Sequence, residues 1–101
     1  MTATVSDNPT ESRFEVFDDD ALAGYAEYGV ADGAMTITHT VVDDAFEGRG
    51  LAKELTETAL AHARARGLSV LPQCPFVSEY IERNPEWLDL VPEDRRSEFG
   101  L

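Results

Sequence analysis

A strand-to-helix junction carries the residues best suited to chemistry in this chain. Val41-Val42-Asp43-Asp44-Ala45-Phe46-Glu47-Gly48-Arg49-Gly50-Leu51-Ala52 runs from a β-branched stretch, through a loop with two glycines, into a helix. The first turn of a helix presents unpaired N–H groups at the positive end of its dipole, and glycine lets a ligand approach the backbone. The junction therefore reads either as an anion site or as a sharp turn that glycine permits. It lacks the Gly-Lys-Ser/Thr ending of a Walker loop and the third glycine of a dinucleotide-binding turn. Cys74-Pro75 is the second feature. Proline favours the first position of a helix, which puts Cys74 at or near an N-cap, where the dipole favours the thiolate. The other reading of Cys74 is a small buried hydrophobe. His39, in the strand leading to the junction, suits proton transfer near neutral pH and reads equally as a structural histidine. Tyr80 offers a hydroxyl but falls in a stripe with Phe76, Val77 and Ile81 that suits core packing.

The elements that must position these groups follow from the pattern around them. Arg13 to Phe17 alternates at period two, as a half-buried strand does. Asp18-Asp19-Asp20 is a turn, and Leu22 to Val30 a second strand. Ala31-Asp32-Gly33 has hairpin-turn chemistry, and Ala34 to Val42 is the clearest strand in the chain. Three sequential strands with short joins predict an antiparallel meander. Gly50 to Arg66 reads as one helix, with Leu51, Leu55, Ala59 and Ala63 on a single face and Gly67 as its stop. His62 reads as a helix-face residue. Leu68 to Leu71 is a short strand returned by that helix, which predicts a parallel, right-handed crossover against Ala34–Val42. Phe76 to Arg83 reads as a second helix with Phe76, Val77, Tyr80 and Ile81 inward, and Glu86 to Val91 as a last apolar turn in which Trp87 caps the core.

With 101 residues the chain is one domain, expected as a flexible terminus over 1–12, a domain over 13–92 and a polar tail over 93–101. Twenty acidic residues against eight basic ones give a formal charge of -12, and Lys53 is the one lysine. That balance argues against nucleic acid and against anionic membranes as partners. It reads either as solubility through net charge or as adaptation to high salt. No apolar run approaches a membrane span, and the first residues lack the order of a signal peptide, so a cytoplasmic protein is expected. The single cysteine excludes an internal disulfide. One cysteine with two distant histidines argues against structural zinc, and the aspartate triplet lacks the spaced ligands of a calcium loop, so no metal is expected. Residues 48–67, with Arg49, Lys53, Arg64 and Arg66 against Glu54 and Glu57, carry +2 and leave -14 for the remainder. Arg49 and Lys53 stand at the end of the helix where an anion would sit.

Glu47-Gly48-Arg49-Gly50-Leu51-Ala52 is similar to the acetyl-CoA pyrophosphate loop of the GNAT acyltransferases, usually Gln/Arg-x-x-Gly-x-Gly/Ala. More narrowly, the chain resembles the small YjdJ-type acetyltransferase-like family. The matching pieces are His39-Thr40-Val41-Val42, the loop, Pro72-Gln73-Cys74-Pro75-Phe76-Val77, Tyr80-Ile81 with Arg83-Asn84-Pro85, and Trp87-Leu88-Asp89-Leu90-Val91. They span residues 14–91, and the Cys-Pro-Phe-Val block is the specific part. The resemblance implies an α/β fold of reduced GNAT type: a mixed sheet of three antiparallel strands plus one parallel strand after a crossover helix, then one or two short C-terminal helices. Acetyl-CoA would sit where two parallel strands splay apart, and an acetyl group would pass to an unknown amine, peptide or protein acceptor. A CoA-binding module with little or no catalysis is the alternative, and a purely structural protein the third. The backbone N–H groups of Arg49, Gly50, Leu51 and Ala52 would hold the pyrophosphate, flanked by Gly48 and Lys53. Val41 and Val42 would line the strand side, with Cys74 and Pro75 near the thioester. The resemblance makes Cys74 a cofactor neighbour, an acyl-accepting nucleophile or the acid that reprotonates departing CoA thiolate. It makes His39 a base for the amine and Tyr80 a donor to the leaving sulfur. Glu47 departs from the pattern, since a carboxylate cannot donate to a phosphate. A monomer or weak homodimer is expected. With only a turn between Phe17 and Leu22, the acceptor side is expected to be shallow and open, or absent.

Overall fold

Period-two patterning and β-branched content organise the first half of the chain into strands. The computed structural model describes residues 3–101. In order it contains β1 (Ala3–Asn8), β2 (Arg13–Asp18), β3 (Ala21–Ala31), β4 (Ala34–Val42), α1 (Leu51–Ala65), β5 (Ser69–Pro72) and α2 (Pro75–Arg83). Short 3-10 segments follow at Asp44–Phe46, Pro85–Leu90 and Glu93–Phe99. The sheet runs β1-β2-β3-β4-β5, with β1 to β4 antiparallel and β5 parallel to β4. This is the mixed-sheet α/β class that the pattern predicts, crossover through α1 included. Asp32 and Gly33 both take positive φ, at 53° and 75°, as a two-residue hairpin turn requires.

Both termini depart from expectation. Met1 and Thr2 of the predicted loose stretch lie outside the described residues, but Ala3–Asn8 is a fourth antiparallel strand, paired with β2 from Ala3↔Asp18 to Asn8↔Arg13. Its polar composition hides it. Val5 turns toward the core while Thr4 and Ser6 are exposed, and Asp7 accepts a hydrogen bond from the Tyr28 hydroxyl at 2.6 Å. His62 Nε2 on α1 lies 3.7 Å from the same carboxylate. The expected tail is likewise fastened: Arg96 donates to the carbonyls of Val91 at 3.0 Å and Leu88 at 3.1 Å, and Phe99 and Leu101 pack on the core.

One helix builds the core. Leu51, Leu55, Ala59 and Ala63 are all buried on the predicted face of α1, joined by Thr56 and Leu60. Beneath them lie Phe14 and Val16 of β2, Ala26 of β3, Met35 and Ile37 of β4 and Val70 of β5. Phe14 meets the Tyr28 ring at 5.0 Å and the edge of His62 at 5.3 Å. At the far end, Arg64 donates to both oxygens of Asp89 and to the Glu86 carbonyl, with its guanidinium 5.0 Å over Trp87. That latch presses the last apolar turn onto the core.

β4 changes face partway along. Glu27 pairs with His39 but Tyr28 pairs with Ile37, so Thr38 is an extra residue, a β-bulge. Before it, Met35 and Ile37 are buried beneath α1. After it, Thr40 and Val42 take the inner side, while His39 and Val41 stand exposed on the outer one. The pairing of β4 with β5 ends at Ile37↔Pro72. Cys74 N–H then donates to the Ile37 carbonyl at 3.0 Å, and Pro75 begins α2, so the two strands part at this point.

Burial orders the expected mutational costs. Leu55→Ala, at a site with no exposed surface, is expected to lower unfolding free energy by about 2–5 kcal/mol in denaturant titration. Leu22→Ala, at a residue 43% exposed, is expected to change it by about 0.5 kcal/mol or less.

Candidate functional site

The β4–α1 junction folds in two steps. Asp43 Oδ1 accepts from Ala45 N–H at 3.0 Å and starts a 3-10 turn that ends at Phe46. Gly48 and Gly50 then take φ of 81° and 74°, left-handed values that penalise any side chain with a Cβ. Gly50 is the N-cap of α1 and no side chain caps that helix end, so its first N–H groups face outward. No atom lies within 4 Å of a Cβ built on either glycine. Beside the glycines is a hollow of about 290 Å³, bounded by Val42, Phe46, Glu47, Leu51, Lys53 and Phe76 and floored by Gly48, Gly50 and Ala52.

Six residues expected to bind a cofactor thus meet in one concavity: Val42, Gly48, Gly50, Leu51, Ala52 and Lys53. Val41, Arg49, Cys74 and Pro75 are not among its walls. Val41 faces the other side of the sheet. The Arg49 side chain reaches back to Asp18 in the β2–β3 turn, with Nη1 2.7 Å from Oδ2, and its guanidinium lies 5.3 Å over the Phe46 ring. Its backbone still belongs to the loop. Two walls went unread in the sequence. Phe76, placed inward by helical periodicity, is instead 41% exposed and faces the hollow, while Val77 and Ile81 bury the true inner face of α2. Phe46 carried no signal of its own. Electrostatically the hollow is mixed: the uncapped helix end and Lys53, which lies 3.7 Å from Glu57, favour an anion, and the Glu47 carboxylate opposes one.

The three candidate catalytic side chains do not converge. Cys74 is the N-cap of α2, as the Cys-Pro pair predicts, and is 6% exposed. Its Sγ lies 3.5 Å from Thr40 Oγ1. His39, one residue earlier, points to the opposite face because of the bulge at Thr38. Tyr80 lies between the helices, where its hydroxyl donates to Glu57 Oε1 of α1 at 2.9 Å. Burial and that hydrogen bond push the phenol up to about 12, which makes it a weak acid near neutral pH.

A mixed sheet whose parallel pair parts beside a glycine-lined helix N-terminus defines an α/β acyltransferase-type fold. The profile of the GCN5-related N-acetyl-transferase family matches residues 13–90. The chain belongs to that family. Among curated relatives, Protein NATD1 of Xenopus tropicalis is 34% identical over 56 residues, covering 55% of this chain and 51% of that protein. Human Protein NATD1 is 37% identical over 51 residues, covering 50% of this chain and 45% of the human protein. The aligned stretches thus span about half the length of these curated relatives. Among solved structures, a GCN5-like candidate N-acetyltransferase from Staphylococcus aureus superposes with a TM-score of 0.68 at 25% identity, covering 88% of this chain and 87% of that one. Ard1 from Thermoplasma volcanium shares the fold with a TM-score of 0.54 at 21% identity, over 60% of this chain and 43% of its own.

Tyr28 resembles Tyr80 in that burial and its hydrogen bond to Asp7 also push its phenol up to about 12. In the unfolded chain both phenols ionise near pH 10, so between about pH 10 and 12 the folded state binds more protons. Stability is therefore expected to be intact below pH 10 and to fall as pH rises through that window. Phenolate absorbance is expected to show two late-ionising tyrosines, and Tyr80→Phe to remove one of them.

Proposed function

We propose that the chain is an acetyl-CoA-dependent N-acetyltransferase of the YjdJ type, acting on an amine acceptor. The observation that carries this reading is the hollow, where a glycine-lined, uncapped helix N-terminus opens beside an apolar wall of Val42, Leu51 and Phe76. The first suits a pyrophosphate and the second suits a pantetheine arm. In this reading the backbone N–H groups of Arg49 to Ala52 hold the phosphates, with Lys53 alongside. Acetyl-CoA held there would supply an activated thioester carbonyl. Transfer would form an N–C bond to the acceptor amine and break the C–S bond, with the amine proton passing to a base and a proton returned to the CoA thiolate. In this reading His39, exposed on the outer face of β4, would take the proton of an acceptor arriving from that face. Cys74 lies on the inner side, suited to return a proton to the departing CoA thiolate. Tyr80 has no place in the scheme, because its hydroxyl is bound to Glu57.

The second reading is a CoA-binding module with little catalysis. What favours it is the outer face, where His39 and Val41 stand exposed with only a shallow hollow of about 130 Å³ nearby, among Leu22, Tyr25 and Asp43. Release of free thiol from acetyl-CoA across a panel of amines and peptides separates the two. Turnover with any acceptor supports the transferase, and binding without turnover supports the module.

Isothermal titration with CoA and with acetyl-CoA tests the shared premise, and no heat with either ligand sinks both readings. Glu47→Gln removes the carboxylate from the phosphate end and is expected to tighten CoA binding by about two- to fivefold. Lys53→Glu is expected to weaken it by a similar factor.

A further inference from the structure

We infer that Thr40 positions the Cys74 thiol, fixing where its sulfur points in both protonation states. The inference rests on the proposed role of Cys74 beside the thioester, and it assigns a task to a residue that had been given none of its own. Three observations lead to it. The bulge at Thr38 brings Thr40 to the inner side of β4, just past the point where β5 turns away. The backbone of Cys74 is held there by its N–H bond to the Ile37 carbonyl. Its side chain, although at the N-cap of α2, makes no cap hydrogen bond and meets Thr40 Oγ1 at 3.5 Å instead.

A hydroxyl is well matched to this task because it can reverse roles. Toward a thiol, Oγ1 accepts the S–H hydrogen; toward a thiolate, the same hydroxyl rotates and donates to the sulfur. Either hydrogen bond holds the sulfur in place. His39 cannot serve, since it faces outward, and a valine at 40 would keep the shape without either hydrogen bond.

The chain has one cysteine, so alkylation of the intact protein reports on Cys74 alone. Iodoacetamide reaction rates, read by mass spectrometry from about pH 6 to about pH 10, would be compared for the wild type, Thr40→Val and Thr40→Ser. Circular dichroism would check that each variant folds. Thr40→Val is expected to lower the alkylation rate by about three- to tenfold across that pH range, because the sulfur is no longer held in one orientation. Thr40→Ser, which keeps the hydroxyl, is expected to follow the wild type. A Thr40→Val profile that overlays the wild type overturns the inference. So does a Thr40→Ser profile displaced as far as that of Thr40→Val, because the effect would then be one of packing. None of these rates depends on an acyl donor, so the CoA titration remains a separate judgement on the proposed function.

Discussion

The burial of one helix against one face of one sheet is the constraint from which the remaining features follow. α1 touches all five strands, β1 to β5, and its buried residues Leu51, Leu55, Ala59, Leu60 and Ala63 lie in the one core beneath it. Where those leucines seat themselves fixes where the helix begins, and so where the glycine turn and its outward N–H groups come to rest. Contacts with residues near the two ends of the chain refine this placement. His62 Nε2 lies 3.7 Å from Asp7 of the first strand, and Arg64 clasps Asp89 in the Pro85–Leu90 segment. Exposed pairs of this kind contribute little by themselves, and the apolar seam carries most of the stabilisation.

β4 answers to two demands at once. Its first half must supply Met35 and Ile37 to the seam, and its second half must border the opening left when β5 departs. A regular strand would carry the odd-numbered residues inward throughout and set His39 and Val41 toward Cys74. The inserted Thr38 breaks that periodicity, so the inner side of the opening receives a hydroxyl and the outer side an imidazole. His39 and Thr40 thereby exchange the faces that a regular strand would give them.

Most element boundaries were legible, because hydrophobic period, the Asp32-Gly33 turn and the Gly67 stop each report local physics. The helix face of α1 was read with Leu51, Leu55, Ala59 and Ala63 all correctly inward, and the glycine junction was found from residue type alone. The bulge was not legible. Val41 and Val42 are the same residue, so no difference in apolar character marks which one is inside, and only pairing with β3 decides. That one hidden residue explains why the side chains near the end of β4 could not be assigned to a face and why Thr40 was given no role of its own. β1 and the C-terminal segment were missed for another reason: their holding contacts are long-range bonds from Tyr28 and Arg96 to a carboxylate and to backbone carbonyls, which composition does not report. Phe76 was misplaced because an aromatic at the start of α2 fits a buried stripe and a ligand-facing wall equally well.

β1 and β5 are the edge strands of the sheet, and among the described residues no strand pairs with the outer side of either. Open edges invite a second chain to add on, and proteins commonly guard them with lysine, proline or a covering element. This chain has one lysine, and it lies on α1. The guard is instead collective: two copies meeting edge to edge must bring together two bodies of formal charge -12. Such protection is conditional where a steric guard is not. It fades as salt shortens the screening length, and it vanishes as acidity approaches the isoelectric point near 4.3. The acidic surplus thus acts as a charge barrier against edge-to-edge pairing of two such sheets.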